Sequence, residues 1–402
     1  MLELEEAVAR ILAAVPAPVT ESVPVADAHH RVLTEPFRLA IDLPPFDNSA
    51  MDGYAVRAED VKSAKPESPV SLRLIGRVAA GGLFEGQVTT GTCVRLFTGA
   101  PMPKGADAVV MQEDTRSDSN APDRIQILDS AKPWENVRLQ GEDAKRGALA
   151  AEPGEILTIG HINLLAATGR TEIKVGRQPT IGILSTGSEL KQAGEPLALG
   201  QIYESNRIGL ATLVRRSDAI AKIFPLVPDT LKATRAALEM AFQTCDLLVT
   251  SGGVSVGEMD FLKQAFAEIG GELQFWKIAI RPGRPFVFGR HGAKFFFGLP
   301  GNPISALVTF LLLVRPAILR WQGAKDVNLP THPGVLAEAI TNSGDRRHFM
   351  RVKVDATGKV ASAGLQASHA LSSMAGANAL LDIPPKTNLP AGQPVPVLRW
   401  EF

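Results

Sequence analysis

The segment Cys245–Lys263, CDLLVTSGGVSVGEMDFLK, decides how the rest of the chain is read. Leu247, Leu248 and Val249 form a short apolar run that stops at Thr250-Ser251-Gly252-Gly253, the pattern of a buried parallel strand. Glu258 and Asp260 follow the glycines, and Phe261-Leu262-Lys263 opens a helical pattern. A strand, a glycine loop and a helix in that order turn backbone N–H groups toward an anion. Two carboxylates at the end of such a loop would repel a bare phosphate unless a cation stood between them. The segment therefore suggests an anionic substrate held through Mg²⁺.

Strands and helices alternate on both sides of it, over residues 179–327. TIGILS, AIAKIFPL, ELQFWKIAI, FVFG and KFFFGL have strand patterns, and SNRIGLATLVRR and DTLKATRAALEMAFQT have helical ones. Ser205 and Asp229 are the expected caps of those two helices. Asn302-Pro303 is expected to start a helix over ISALVTFLLLV, which Arg315-Pro316 cuts off. Such alternation argues for an α/β domain with a largely parallel sheet covered on both faces. In open sheets ligands sit beyond the carboxyl ends of the strands. That rule selects three loops: Ser185–Glu189, Ser251–Asp260 and Gly298–Asn302. If the strands are parallel, one rim collects all three, and Glu189 meets Asp260 there.

The flanks read differently. Leu4, Val8, Ile11 and Leu12 fall at helical spacing until Pro16 and Pro18, and a second short helix is expected around Val25–Arg31. Pro44-Pro45 forbids regular structure in LAIDLPPFDNSAMDGYAV, where Asp47 and Asp52 act either as turn caps or as functional carboxylates. Residues 46–145 show short strands and frequent turns, a β-rich domain inserted between residues 1–45 and 146–178, which form a linker domain of helix and strand. HINLLAATG is a short helix ended by Gly169. Residues 328–402 form a small β-barrel-like domain. The fold class expected is multi-domain α/β plus β.

Composition narrows the function. A chain of 402 residues exceeds a single core, which stops growing near about 250–300 residues. Lys+Arg and Asp+Glu both number 42, so no overall field favours nucleic acid or an anionic membrane. Cys93 and Cys245 form no CxxC pair, which argues against a disulfide scaffold or zinc ribbon. The start, MLELEEAVARIL, is acidic and unlike a secretory signal, and the apolar run Ala306–Val314 is too short to span a bilayer. A cytoplasmic protein is expected. Gly252–Gly257 has phosphate-loop spacing, but Glu258-Met259 stands where Lys-Ser/Thr is needed, and no Gly-x-Gly-x-x-Gly occurs. No His pair has metal-ligand spacing, and Ser185, Ser251 and Ser255 lack an evident His base. Lys277, Arg281 and Arg284 bracket a Pro-Gly turn in WKIAIRPGRPF, and Lys277 and Arg281, four apart in an expected strand, point to one face. Arg281 and Arg284 either clasp an oxyanion or form a solvated basic hairpin.

FDNSAMDGYAV, TGAPMPKGADAVVMQED, RLQGED, STGSEL, IYESN, TSGGVSVGEMD, KIAIRPGRP and GLPGNPISA occur in this order. Together they resemble the MoeA family of molybdopterin molybdenumtransferases, to which the E domain of gephyrin-type proteins also belongs. The resemblance runs over essentially the full length and is weakest after about residue 330. It implies a cofactor-synthesis enzyme that binds adenylylated molybdopterin, inserts molybdate at the dithiolene and releases AMP with Mg²⁺. It also implies an elongated homodimer of four-domain subunits, with a cleft between the α/β domain of one copy and the β-rich domain of the other. The adenylyltransferase that makes the intermediate is a further expected partner.

By match to the family motifs, Glu189 and Asp260 are the Mg²⁺-associated carboxylates, and Asp52 and Thr98 are the contributions of the second copy. Arg138, Asp143, Asp229 and Lys277 fall on motif positions implicated in the family's site. Arg281, Arg284 and Ser305 match positions lining a molybdate pocket. Ser185, Ser255, Gly298, Pro300, Gly301 and Pro303 are substrate-contact candidates from the three loops. Arg351, Ser368 and Ser372 are candidates from the last domain. One departure stands out: the family's Lys-Pro-Gly-Lys is here Arg281-Pro-Gly-Arg284, a planar fork in place of a point charge. Two other readings are adenylyl transfer from ATP to molybdopterin and a non-catalytic scaffold. The MDGYA and TGAP motifs argue against the first, since a simple adenylyltransferase would not need them, and the intact Glu189 and Asp260 against the second.

Overall fold

A computed structural model describes residues 1–118, 121–253 and 261–400. The chain divides into two compact units. The first comprises Met1–Glu35, Pro153–Thr158 and Glu172–Phe402, and the second comprises Pro36–Glu152 and Ile159–Thr171. The segments 1–45 and 146–178 are thus shared between the units. Thr20–Pro24 pairs with Glu172–Gly176 in the first, while Phe37–Arg38 pairs with Leu149–Ala151 in the second. Only a 3₁₀ turn, Val25–Asp27, forms where a second helix was expected, and His30 just beyond it is left-handed (φ 65°).

The first unit begins with helix α1, Leu4–Ala14, and contains a six-stranded sheet. Its strands are β1 (Thr180–Ser185), β2 (Ile220–Ile223), β3 (Leu247–Ser251), β4 (Glu272–Trp276), β5 (Val287–His291) and β6 (Lys294–Leu299). Their order is β2-β1-β3-β6-β5-β4; the first four are parallel, and β5 and β4 are antiparallel additions. Helices α2 (Asn206–Arg216), α3 (Leu231–Thr244), α4 (Phe261–Glu268) and α5 (Pro303–Trp321) cover it.

The side-chain alternation of a strand divides the core in two. Ile181, Ile183, Leu247, Val249, Phe295 and Phe297 face α1, α2 and α5. Leu184, Leu248 and Phe296 face α3 and α4. On that second side the Phe266 ring stacks on Phe296 with centroids 4.5 Å apart. Gly271 closes against the same ring, where an added Cβ would lie 2.5 Å from it.

Arg315-Pro316 does not end the helix that begins at Pro303. Proline lacks an N–H and crowds the carbonyl four residues back, and the wider π turn Phe310–Val314 accommodates both. The resulting 19-residue helix, of mean hydropathy 1.7, is long and apolar enough to cross a membrane, yet 78% of that stretch is buried inside the protein. It is the central helix of the core.

The C-terminal region is a closed barrel of β7 (Thr331–Leu336), β8 (Arg347–Val354), β9 (Lys359–Ser362), β10 (Ala379–Ile383) and β11 (Pro394–Arg399). The pairings β8–β9, β9–β7, β7–β11, β11–β10 and β10–β8 complete the ring. Met350, Val352, Val354, Val360, Leu381 and Val397 pack in one cluster, while Phe349 and Leu380 join the main core. Arg347 ties the barrel to α1, with its guanidinium on both Asp382 and Glu5.

Lys277 and Arg281 do not share a strand. β4 stops at Trp276, and Lys277 has a left-handed backbone (φ 70°). Ile280–Arg281 is a separate strand that joins β8 of the barrel in parallel, opposite Arg347 and His348. The left-handed residue turns the chain out of one sheet and into another.

The second unit holds a six-stranded sheet in the order Ala108–Met111, Gly53–Val56, Thr92–Leu96, Val70–Val78, Ala121–Ile127 and Thr115–Asp118. Separate apolar clusters around Val61 and Ile127 and around Val94 and Val109 fill it.

Phe266→Ala removes the ring that α4 places between Phe296 and Gly271, and should lower the stability of the first unit by about 3–5 kcal/mol. Chemical denaturation followed by fluorescence measures it.

Candidate functional site

Strands β1, β3 and β6 are adjacent, parallel and end at one level: Ser185 pairs with Ser251, and Ser251 with Leu299. The loops that follow them leave the sheet side by side. They line a cavity of about 740 Å³ together with the start of α2, the first turn of α5, and His369 and Leu371 from the last domain.

Hydrogen bonds fix the loops to one another. Asn206 Nδ2 donates to Ser251 Oγ (2.7 Å) and to the Gly301 carbonyl (2.8 Å), joining α2 to the loops after β3 and β6. Glu204 is buried and accepts from Ser185 Oγ (3.1 Å) and from Arg207 N and Nε (2.7 and 2.8 Å). Its charge is thus neutralised locally. Gly252 and Gly253 are both left-handed (φ 89° and 67°), and a Cβ on Gly252 would lie 2.8 Å from the Thr186 carbonyl. Glycine is required there because the loops after β1 and β3 touch backbone to backbone.

Of the residues singled out in the sequence, Ser185, Glu189, Asp229, Pro300, Gly301, Pro303 and Ser305 line this cavity. Asp229 does not cap α3. Thr230 does, accepting from Ala233 N, which leaves Asp229 Oδ2 to accept from Ser188 N (3.0 Å) and steady the loop that carries Glu189. Gly298 lies inside β6, opposite Thr250 and Val287, away from the cavity lining. Ser255 and Asp260 lie outside the described residues. Sequence reasoning overlooked Glu204, Asn206 and His369. The first two belong to the quoted IYESN motif, and a polar pair just before a helix in a glycine-loop protein was the available signal.

Arg281, Arg351 and His348 gather where the inserted strand meets the barrel. Arg351 is fully buried; its Nε donates to Ser373 Oγ (2.9 Å) and its Nη2 to the carbonyls of Leu365 and Ala367 (2.8 and 3.2 Å). Nη1 has no partner, and neither has His348 Nε2. Burial, then the charge of Arg281, lowers Arg351 to a pKa of about 10. Burial, then Arg281 and Arg351, lowers His348 to about 4. Two orphaned buried nitrogens, one of them on the Arg351 guanidinium, beside the charge of Arg281 fit a polyatomic anion. Arg284 is exposed and its carbonyl accepts from Ile278 N. Ser368 offers its carbonyl to Ile304 N, and Ser372 lies in the short helix Leu371–Ala375. Lys277 Nζ rests 4.1 Å from the Trp276 ring centroid.

A separate polar cluster forms within the second unit. Thr98 donates to Asp52 Oδ1 from both N and Oγ1, each at 2.8 Å, and these bonds hold the Asp52 carboxyl below the usual range. Asp47 accepts from Gln140 N (2.7 Å), a turn-fixing role. The strand Val137–Arg138 pairs with Asn48–Ser49, and Asp143 N donates to the Leu43 carbonyl. Asp52, Thr98, Arg138 and Asp143 thus come from interlocked segments.

His348 makes stability pH-dependent. A base whose folded pKa lies below its ordinary 6.5 stays neutral in the fold while the unfolded chain takes up the proton. Its contribution should be complete above pH 6.5 and fall away down to about pH 4, and His348→Gln should lack this step. Denaturation midpoints across that range measure it.

Three family descriptions match the chain: the MoeA N-terminal region (domains I and II) over residues 2–169, a probable molybdopterin binding domain over 182–320, and the MoeA C-terminal region (domain IV) over 333–400. The molybdopterin molybdenumtransferase of Haemophilus influenzae is 38% identical over 99% of this chain and 98% of its own. The molybdopterin molybdenumtransferase 2 of Mycobacterium tuberculosis is 39% identical over 91% of each chain. The crystal structure of the molybdopterin biosynthesis MoeA protein of Pyrococcus horikoshii covers all of both chains with a TM-score of 0.84 and 32% identity. The barrel, the α/β sheet and the second unit with its MDGYA and TGAP segments all fall within these matches, and the chain belongs to the MoeA family of molybdopterin molybdenumtransferases.

Proposed function

We propose that this protein is an enzyme that inserts molybdenum into molybdopterin during molybdenum cofactor synthesis. In this reading adenylylated molybdopterin and molybdate are the substrates, Mg²⁺ assists, and AMP is released. The observation that carries it is the position of the cavity. All of its wall except His369 and Leu371 falls within residues 182–320, the match to a molybdopterin binding domain.

The donors on that wall suit a hard cation. Glu189 and Asp229 offer carboxylate oxygens, Thr186 and Ser205 offer hydroxyls, and no cysteine lies among them. No group of three or more His, Cys, Asp or Glu side chains able to hold a metal occurs among the described residues. Mg²⁺ fits such a site, since it takes one or two carboxylates and completes its shell with water and phosphate oxygens. Glu189, with Asp260 as its expected partner, would hold it, and its contribution is to neutralise the charge that builds on the departing phosphate. The protein's own share is orientation. Asn206 and the paired glycines fix the loops, and the first turn of α5 presents a helix N-terminus to the cavity, where negative charge is stabilised.

Molybdate is assigned to the Arg281, Arg351 and His348 group. A tetrahedral dianion satisfies the unpaired nitrogens and would itself repel the cavity's carboxylates. Asp52, low in pKa and accepting two hydrogen bonds, is a positioning carboxylate and not a base. In the proposed homodimer it comes with Thr98 from the second copy. A cytoplasmic location and delivery of the intermediate by an adenylyltransferase complete the reading.

Incubating the purified protein with adenylylated molybdopterin, Mg²⁺ and molybdate, and following AMP, tests the proposal; absence of AMP release under these conditions overturns it. Loss of a direct ligand should cost at least as much as loss of an outer-shell partner, about 10–100-fold in metal affinity. Glu189→Gln should therefore raise the Mg²⁺ requirement by at least that factor. Asn206→Ala removes two hydrogen bonds between loops and should lower turnover about tenfold together with a small drop in the thermal midpoint, both measured on the purified variant.

A further inference from the structure

We propose that His369 is a substrate-contacting residue of this cavity, where its imidazole supplies an N–H donor for a tetrahedral oxyanion group of the substrate. The inference rests on the proposed reaction and adds a residue to it. Among the described residues on the cavity wall the charged and titratable side chains are Glu189, Glu204, Asp229, Tyr203 and His369. Glu204 is neutralised by Arg207, which leaves the exposed Glu189 and the half-buried Asp229 as the carboxylates without a cationic partner on the wall. No lysine or arginine lines the wall among these residues. A site that takes an anion is thus walled mainly by negative charge, and His369 is the one described basic side chain on it.

The fold holds His369 in place from two sides. The fully buried Arg351 grips its loop through the carbonyls of Leu365 and Ala367 and through Ser373 Oγ. Ile304 N, in the first turn of α5, donates to the carbonyl of Ser368 next door (3.1 Å). The imidazole itself is exposed, so an arriving ligand meets it without rearrangement of the core. A guanidinium is spent on ordering a loop whose cavity-facing residues are His369 and Leu371. Histidine suits the task because its ring N–H is a donor that an oxyanion on the cavity wall can accept from.

With molybdate assigned to the Arg281 group, the oxyanion expected at His369 is a phosphate of the pterin substrate, and two titrations separate the two ions. Steady-state AMP release is measured in the full-length protein, varying one substrate at saturation of the other, between pH 6 and 9. Loss of a charge-assisted hydrogen bond should raise the KM for one substrate about tenfold in His369→Ala near pH 6.5, with kcat little changed. His369→Arg, which keeps N–H donors at this position, should restore it. A rise confined to the pterin substrate assigns the phosphate, and one confined to molybdate assigns that ion. An active wild type with His369→Ala unchanged in both KM values overturns the role of His369 while leaving the proposed reaction standing. An inactive wild type overturns the reaction itself.

Discussion

The register of three parallel strands governs this protein. Ser185, Ser251 and Leu299 lie side by side at the ends of β1, β3 and β6, so three loops far apart in sequence begin at the same height. A shift of one residue would exchange the two faces of a strand. Ile183, Val249 and Phe297 would then leave the α1–α2–α5 side, and Leu184, Leu248 and Phe296 the α3–α4 side. Both faces are buried and differently shaped, so packing enforces the register and the register places the loops. The hydrogen bonds of Asn206 act on loops already brought within reach.

The site shows how one fold answers two opposed electrostatic demands. The cavity at the strand ends carries carboxylates, which suit a cation and phosphate oxygens shared with it. The positive charge gathers elsewhere, on Arg281 at the inserted strand and on Arg351 of the barrel strand it joins, with the neutral His348 beside them. Keeping the two apart prevents Glu189 and the arginines from simply pairing, which would leave neither free for a ligand. The cost appears in the lowered pKa values of His348 and Arg351: burial and the charge of Arg281 act on both, and Arg351 acts on His348 as well.

The barrel is more than an appendage to the α/β sheet. Phe349 and Leu380 belong to the main core, and Arg347 bridges Asp382 to Glu5 of α1. Arg351 orders the segment that brings His369 and Leu371 to the cavity. The helix α5, buried along most of its length, receives this segment at its first turn through Ile304. The last domain thus finishes a site whose walls are otherwise built by the α/β domain.

Much of this was legible in the residues alone. The alternation of strands and helices over 179–327, the three loops at strand ends and the β character of both flanks follow from periodicity and turn chemistry, which are local. The motif set named the family before any geometry was known. What sequence could not supply were outcomes of packing. Arg315-Pro316 reads locally as a helix stop, yet the buried helix continues because its surroundings favour a π turn over a break. Asp229 reads as a cap, but its carboxylate goes to the loop of Ser188, and only the fold brings that loop near. Lys277 and Arg281 look like neighbours on one strand and are parted by a left-handed backbone. Arg351 is fully buried, with all but one guanidinium nitrogen committed to the loop that carries His369, so that only Nη1 remains without a partner. Local chemistry fixes which elements form; which side chains remain free for a ligand is decided by contacts between residues tens to hundreds of positions apart.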